Sequence, residues 1–334
     1  MITKNVSIVV GSLYGDCGKG KIVGYLALKD NPEIVARAGG PNCGHTVVHE
    51  NTKYLLSMLP SGLINTNSRL LLGAGTLVDP RKFLAEIKKY DVNPSRIGID
   101  RRATIISQNH IDEDSSSELS KKIGTTKCGV GPAQASRAYR TAKQVSSEPE
   151  LSSFLTDVPS ECQKAKSILI EGSQGFYLSN LYSDDWPNAT SKDTSASGIC
   201  SDVGVGPKSV KHVILVIKSY STRVGSGPLS FEMTFEEAQA KGLAEWGVVS
   251  GRKRRISEHL DFDKLRYSAA VNSADQIALT KIDTRFANNN GVITYQELTS
   301  DAKRFIENME NELNLPVTLI GTGSSNEAMV DRRA

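Results

Sequence analysis

Several features are missing from this sequence, and each absence removes a class of protein. No apolar run approaches the roughly 18 residues of a membrane span, and residues 1–5 lead straight into a strand-like segment without a signal-peptide core. A cytoplasmic protein with no membrane partner is therefore expected. Cysteine is sparse: Cys17, Cys43, Cys128, Cys162 and Cys200 are scattered, odd in number and form no CxxC pair. That pattern speaks for reduced thiols and against a disulfide framework or a zinc site. Aromatic residues make up 6% of the chain, and its net charge is +3 with a pI near 8.5. Nucleic-acid surfaces need a basic stripe and stacking aromatics, so no nucleic-acid partner is expected. Linkers rich in Pro, Gly and Ser, internal repeats and low-complexity segments are also absent. With 334 residues, 39% of them hydrophobic, the chain can bury a large core. It reads as a single domain over 1–334 with excursions around 80–160 and 235–265.

What is present is a series of short apolar runs that end in small or polar residues. They cover residues 6–10, 167–170, 212–217, 276–279 and 317–320. Continuous β-branched runs of this length predict strands buried on both faces, as in a parallel sheet. Helical patterns lie at 22–28, 80–89, 133–144, 235–241 and 300–313. Residues 112–122 (DEDSSSELSKK) read as polar and exposed, and 286–290 as a turn or mobile loop. The fold class is α/β: a large, mostly parallel central sheet flanked by helices. Phosphate-binding loops like those of P-loop NTPases are expected at the carboxyl ends of the strands.

The segment GSLYGDCGKGK, residues 11–21, sits between the first strand and the first helix. A strand, a glycine-rich turn and a helix start converge backbone N–H groups on an anion, and a lysine adds a full charge. It is not a Walker loop, because Leu13 and Gly20 stand where that motif needs a glycine and a hydroxyl residue. Asp16 lies in the middle of the turn. A carboxylate among phosphate-binding amides calls for a metal ion or a proton transfer.

Further motifs follow in order: RAGGPNCGHT (37–46), KIGTTKCGVGP (122–132), EGSQG (171–175), SGRKRR (250–255), TKID (280–283) and GTG (321–323). Together, and in this order, they resemble the adenylosuccinate synthetase family over essentially the whole chain. The compact length is similar to that of the archaeal branch and the related phage enzymes. Such enzymes join L-aspartate to the 6-position of a 6-oxopurine nucleotide at the expense of a nucleoside triphosphate. The purine oxygen is a poor leaving group; once phosphorylated it departs as phosphate when the aspartate amine attacks. That chemistry needs a base for the ring N–H, a metal, an acid for the departing diphosphate and clamps for several anions.

The resemblance implies a role for each matched residue. Asp16 corresponds to the base and a Mg²⁺ ligand, with the Gly44 carbonyl as a second ligand. Lys19 would neutralise the transferring phosphoryl, and His45 would act as the general acid. Gly15, Gly18, Gly20 and Lys21 belong to the first phosphate loop. Asn42, Thr126, Gln174 and Thr190 match positions that hold the monophosphate or the purine. Arg140 would reach the nucleotide phosphate of a neighbouring subunit, implying a homodimer with shared sites. Ser250, Arg252 and Arg254 match the loop that grips the carboxylates of aspartate, where planar guanidinium forks are required. Lys281 and Asp283, followed by Gly321 and Gly323, look like a guanine-reading wall, because one carboxylate can accept from both the ring N–H and the 2-amino group.

Some positions depart from the pattern. Leu13-Tyr14 replaces a common Gln-Trp pair, Cys17 replaces an acidic residue, and Cys43 replaces alanine. Lys127 and Cys128 alter the third loop, Val249 replaces a threonine, and Ser324 replaces a proline. These changes touch the purine and phosphate side of the expected site. The family's phage branch uses dGMP in place of IMP, and in part of it the catalytic aspartate becomes serine. Asp16 favours IMP while the altered loops favour a specialised purine, so both substrates stay open here, as does GTP against ATP as donor. A regulatory NTPase of P-loop type is a remote reading, opposed by His45, Gln174 and Arg252.

Overall fold

The computed structural model describes residues 5–247 and 251–333. Among them, ten strands form one sheet. Its order is Met329–Asp331, Val317–Gly321, Gln276–Thr280, Val210–Lys218, Asn5–Gly11, Ser167–Glu171, Ile34–Arg37, Arg69–Leu72, Ile97–Asp100 and Leu155–Thr156. Every neighbouring pair runs parallel except the edge pair of Val317–Gly321 with Met329–Asp331. All five expected strands are present.

Successive strand side chains point to opposite faces, and both faces are covered. Val6, Ile8 and Val10 join Ile168, Ile170, Leu215 and Ile217 in one core. Val9 joins Leu169, Val216 and Val35 in the other, against Ile22 and Leu26 of the helix Lys19–Asp30. Each of these fully buried Ile or Leu side chains contributes about 1.5–3 kcal/mol. Helix ends follow from local chemistry. Asp79 caps Pro80–Lys89 by accepting from the N–H groups of Arg81 and Lys82, and Pro80 starts the helix where no N–H is needed.

One expectation changes. The helix read at 133–144 is Val130–Tyr139, and it stops because Arg140 takes a left-handed conformation (φ 65°). Arg140 is thus the C-cap and not a helix-face residue. The polar stretch 112–122 is largely exposed, as expected; it contributes to the helices Gln108–Ser116 and Glu118–Ile123, and Asp114 within it is buried. Asp114 accepts from Ser120 Oγ (2.8 Å), Thr125 Oγ1 (2.8 Å) and the Gly129 N–H (2.9 Å), which is why a carboxylate can sit there. Residues 286–290 form a turn pinned by fully buried Asn289, which accepts from the Thr299 N–H at 2.9 Å.

Candidate active site

The carboxyl ends of the central strands open into one cavity of about 1010 Å³. Parallel topology places the loops that follow these strands on one side of the sheet, so segments distant in sequence meet there. The first loop turns into its helix through Gly18, whose φ of 86° is the left-handed region that glycine adopts freely. Gly20 lets the helix approach the second loop: a Cβ there would lie 3.0 Å from both His45 Cβ and the Thr46 carbonyl oxygen.

Asp16, Lys19, Lys21, Asn42, Gly44, His45, Thr126, Gln174, Thr190, Arg254, Lys281, Gly15, Gly18, Gly20 and Gly323 all line this cavity. Lys19 is buried and donates to the Gln174 carbonyl. Burial alone would lower its pKa. The acids around it, Cys17, Cys43, Asp16 and Glu171, outweigh that and hold it above its ordinary value. Lys21 donates to the carbonyls of Ser325 and, at 2.9 Å, Ala328. Desolvation lowers its pKa to about 8, against the opposing pull of Asp283 and Glu327. Asp16 forms an ion pair with Arg254, so a site carboxylate and an arginine from the basic loop already meet.

His45 is buried between two acids. Its Nδ1 contacts Glu171, and its Nε2 lies 3.1 Å from Cys43 Sγ. Burial opposes protonation of the ring, but Cys43 and Glu171 outweigh it and raise the pKa. Glu171, raised by burial, is brought down to about 2 by His45 and Arg37. Cys43 is likewise raised by burial yet brought down to about 6 by His45, Lys19 and Arg37. An imidazole held in this way can offer Nε2 to an oxygen entering the cavity.

Four expected residues lie elsewhere. Arg140 is exposed and is not part of the cavity wall. Arg252 stands at the rim and donates to the Gly124 carbonyl at 2.8 Å, so the two matched arginines differ in position. Asp283 is not part of the cavity wall, and its Oδ1 is buried without a hydrogen-bond partner. Gly321 supports Lys21 from behind: a Cβ there would lie 3.1 Å from Lys21 Cε. Ser250 lies outside the described residues.

Sequence reasoning missed several contributors. Glu171 and Arg37 were visible only as motif letters. Glu245 accepts from Lys218 Nζ at 2.6 Å and from Tyr220, lies 3.6 Å from Lys281 Nζ, and accepts the Arg254 N–H on its carbonyl at 2.9 Å. It therefore ties the basic loop to the TKID loop, a link with no local sequence signal. Tyr14 packs under the Arg223 guanidinium, 4.3 Å from the ring centroid.

Asp16 and the Gly44 carbonyl border the same cavity, but the described residues contain no cluster of three or more His, Cys, Asp or Glu side chains suited to a metal. One carboxylate and one carbonyl beside a phosphate cradle fit Mg²⁺, which keeps waters and takes phosphate oxygens as its remaining ligands. The same donor set would not satisfy zinc.

A family model for adenylosuccinate synthetase matches residues 8–151 and 145–288. The chain belongs to the adenylosuccinate synthetase family. It is thus a member of a family of C–N ligases that use Mg²⁺ and GTP. The adenylosuccinate synthetase of Archaeoglobus fulgidus is 49% identical over 333 residues, covering 98% of each chain. The fully ligated adenylosuccinate synthetase of Plasmodium falciparum superposes with a TM-score of 0.90 at 26% identity, over 98% of this chain and 100% of that one. The succinoaminodeoxyadenylate synthetase of cyanophage S-2L, bound to dGMP and dATP, shares the fold with a TM-score of 0.83 at 22% identity, over 99% and 96%. Among the described residues no helix is long and apolar enough to cross a membrane.

Proposed function

We propose that this chain condenses L-aspartate with IMP to form adenylosuccinate, with GTP as phosphoryl donor. The observation that carries the reading is the Asp16–Arg254 contact in the cavity that also holds Lys19 and His45. A base, a phosphoryl-neutralising lysine, an acid and a carboxylate fork are then within one site.

Asp16 accepts the purine N1 proton as the 6-oxygen attacks the γ-phosphorus of GTP, and GDP leaves. His45 hydrogen-bonds the departing diphosphate through Nε2, and Lys19 balances charge on the transferring group. The aspartate amine then adds at C6, and phosphate departs with the C6–O bond. Arg254, with Arg252 at the rim and Ser250 of the same sequence motif, orients the two carboxylates. Asn42, Thr126, Gln174 and Thr190 hold the nucleotide monophosphate and the purine. Bound Mg²⁺, held by Asp16 and the Gly44 carbonyl, would supply charge neutralisation on the phosphates. The unpartnered Asp283 Oδ1 is the kind of acceptor that a guanine N–H satisfies, and adenine offers no equivalent donor pair. Lys281 covers the base, while Gly321 and Gly323 form its backbone wall. Arg140, exposed on its own subunit, acts on the site of the partner in a homodimer. Cytosolic residence belongs to the same reading, because nucleotides and aspartate are metabolites of that compartment.

Two observations support IMP over dGMP: Asp16 is retained, and the Archaeoglobus fulgidus synthetase is 49% identical over nearly all of both chains. The test is phosphate release with L-aspartate and Mg²⁺, crossing IMP and dGMP with GTP and ATP, with product masses determined. Turnover is expected with IMP and GTP. Turnover of dGMP with rejection of IMP overturns the substrate assignment and makes Cys17 and Cys43 substrate-selecting positions.

A further inference from the structure

Glu171 ends the strand Ser167–Glu171 next to the centre of the sheet and is fully buried. Strand alternation aims it to the same face as Leu169, the face covered by the helix Lys19–Asp30 and the hairpin that begins at His45. Burying a carboxylate costs several kcal/mol unless it is paired and hydrogen-bonded. Its partners all belong to the two flanks of that hairpin: His45 Nδ1, the Ser61 N–H at 2.7 Å, and Ser61 Oγ. Arg37, its register neighbour on the adjacent strand, donates to the Cys43 carbonyl at 2.6 Å and to the Leu59 carbonyl at 3.0 Å. Arg37 thus holds the backbone two residues before His45 and two before Ser61, while Glu171 holds the ring itself.

We infer that Glu171 is a positioning residue for the reaction: it fixes the His45 ring with Nδ1 on the carboxylate and Nε2 on the side of Cys43, which lines the phosphate cavity. This inference rests on the acid role proposed for His45. Without a buried acceptor at Nδ1, the ring is free to rotate about χ2, and Nε2 loses its aim at the leaving oxygen. Apolar packing would fill the same space without choosing a ring orientation. The chemistry of aligning a catalytic imidazole through its second nitrogen is general.

The test is a double-mutant cycle between Glu171→Gln and His45→Asn, with full kinetics for each substrate. Glu171→Gln is expected to lower kcat on the order of 10²-fold, the scale of a lost acid–base contribution, with KM values little changed. Glu171→Asp, which keeps the charge, should recover part of kcat. In the His45→Asn background the Gln change should add almost nothing, because its effect passes through the ring. An equal loss in both backgrounds overturns the inference. A second measurement is independent of activity and of variant folding: nitrogen-15 histidine NMR of the wild-type protein. A downfield, exchange-protected Nδ1–H resonance is expected for His45, and its absence from the folded protein overturns the pairing. If wild-type protein does not convert IMP, the proposed function fails, and the resonance still decides the pairing.

Discussion

At the residue scale, the site sets strong charges against poor solvation, and Lys21 shows the consequence most directly. Its pKa falls to about 8 because it is desolvated more than Asp283 and Glu327 compensate. On the proposed reading Lys21 meets triphosphate oxygens, which bind its protonated form. The sign follows from linkage: below about pH 8 the ammonium is in place, and above it the free protein loses the proton that binding must restore. The KM for GTP should therefore rise as pH passes above about 8, while the KM for aspartate does not follow. Lys21→Arg, which stays charged, should flatten the rise even if it weakens binding overall. A GTP KM that is flat from pH 7 to 9.5 in the wild-type protein would falsify this assignment. The same residue illustrates what sequence withholds. A lysine on the first turn of a helix reads equally well as solvated, and only the carbonyls of Ser325 and Ala328, some three hundred residues away, show that it is not.

At the scale of elements, loops carry the chemistry and buried polar anchors decide their shape. Asp114 receives three hydrogen bonds from two sides of the third loop, including the N–H of Gly129 at the start of the helix Val130–Tyr139. Asp114→Ala removes the acceptor and leaves these donors in a partly closed environment, a loss of about 2 kcal/mol or more. Denaturant unfolding should report that loss, and the KM for IMP should rise because Thr126 stands on the loop. A variant with unchanged stability and KM would mean that the loop is held by other contacts. Asp114 was unreadable because its burial depends on hydrogen bonds to Ser120 and Thr125, and a polar string such as 112–122 carries no apolar period. The central strands were legible for the opposite reason: residues buried on both faces must be apolar throughout, as in residues 8–10 and 213–217. Shorter strands such as Ile34–Arg37 and Ile97–Asp100 give no such run: the first holds only three apolar residues in a row, and Gly98 interrupts the second. The same logic separates the site residues. Asp16, Lys19 and His45 stand in glycine-rich contexts that announce a phosphate pocket. Glu171, Arg37 and Glu245 act across the fold, where sequence spacing says nothing.

At the scale of the whole molecule, one matched residue stands apart from the cavity of its own chain. Arg140 is the exposed, left-handed cap of its helix and takes no part in the cavity wall, although its neighbours Val130, Gly131, Pro132 and Ala135 do. An arginine placed beyond its own site can serve a two-fold partner, because an isologous dimer brings the same surface of each subunit to the other. The proposed homodimer then has two composite sites, each using Asp16 from one chain and Arg140 from the other. Mixing two nearly inactive proteins tests this. In a heterodimer of Arg140→Leu with Asp16→Ala, one site carries both defects and the other carries neither. Random exchange should restore roughly a quarter of wild-type activity, since about half the dimers are mixed and each has one intact site of two. Each variant alone should remain inactive at the same total concentration. Mass spectrometry of subunits of different mass verifies exchange. Recovery near that level requires a shared site; no recovery after verified exchange confines Arg140 to its own chain, and the exposed cap then becomes an ordinary surface arginine.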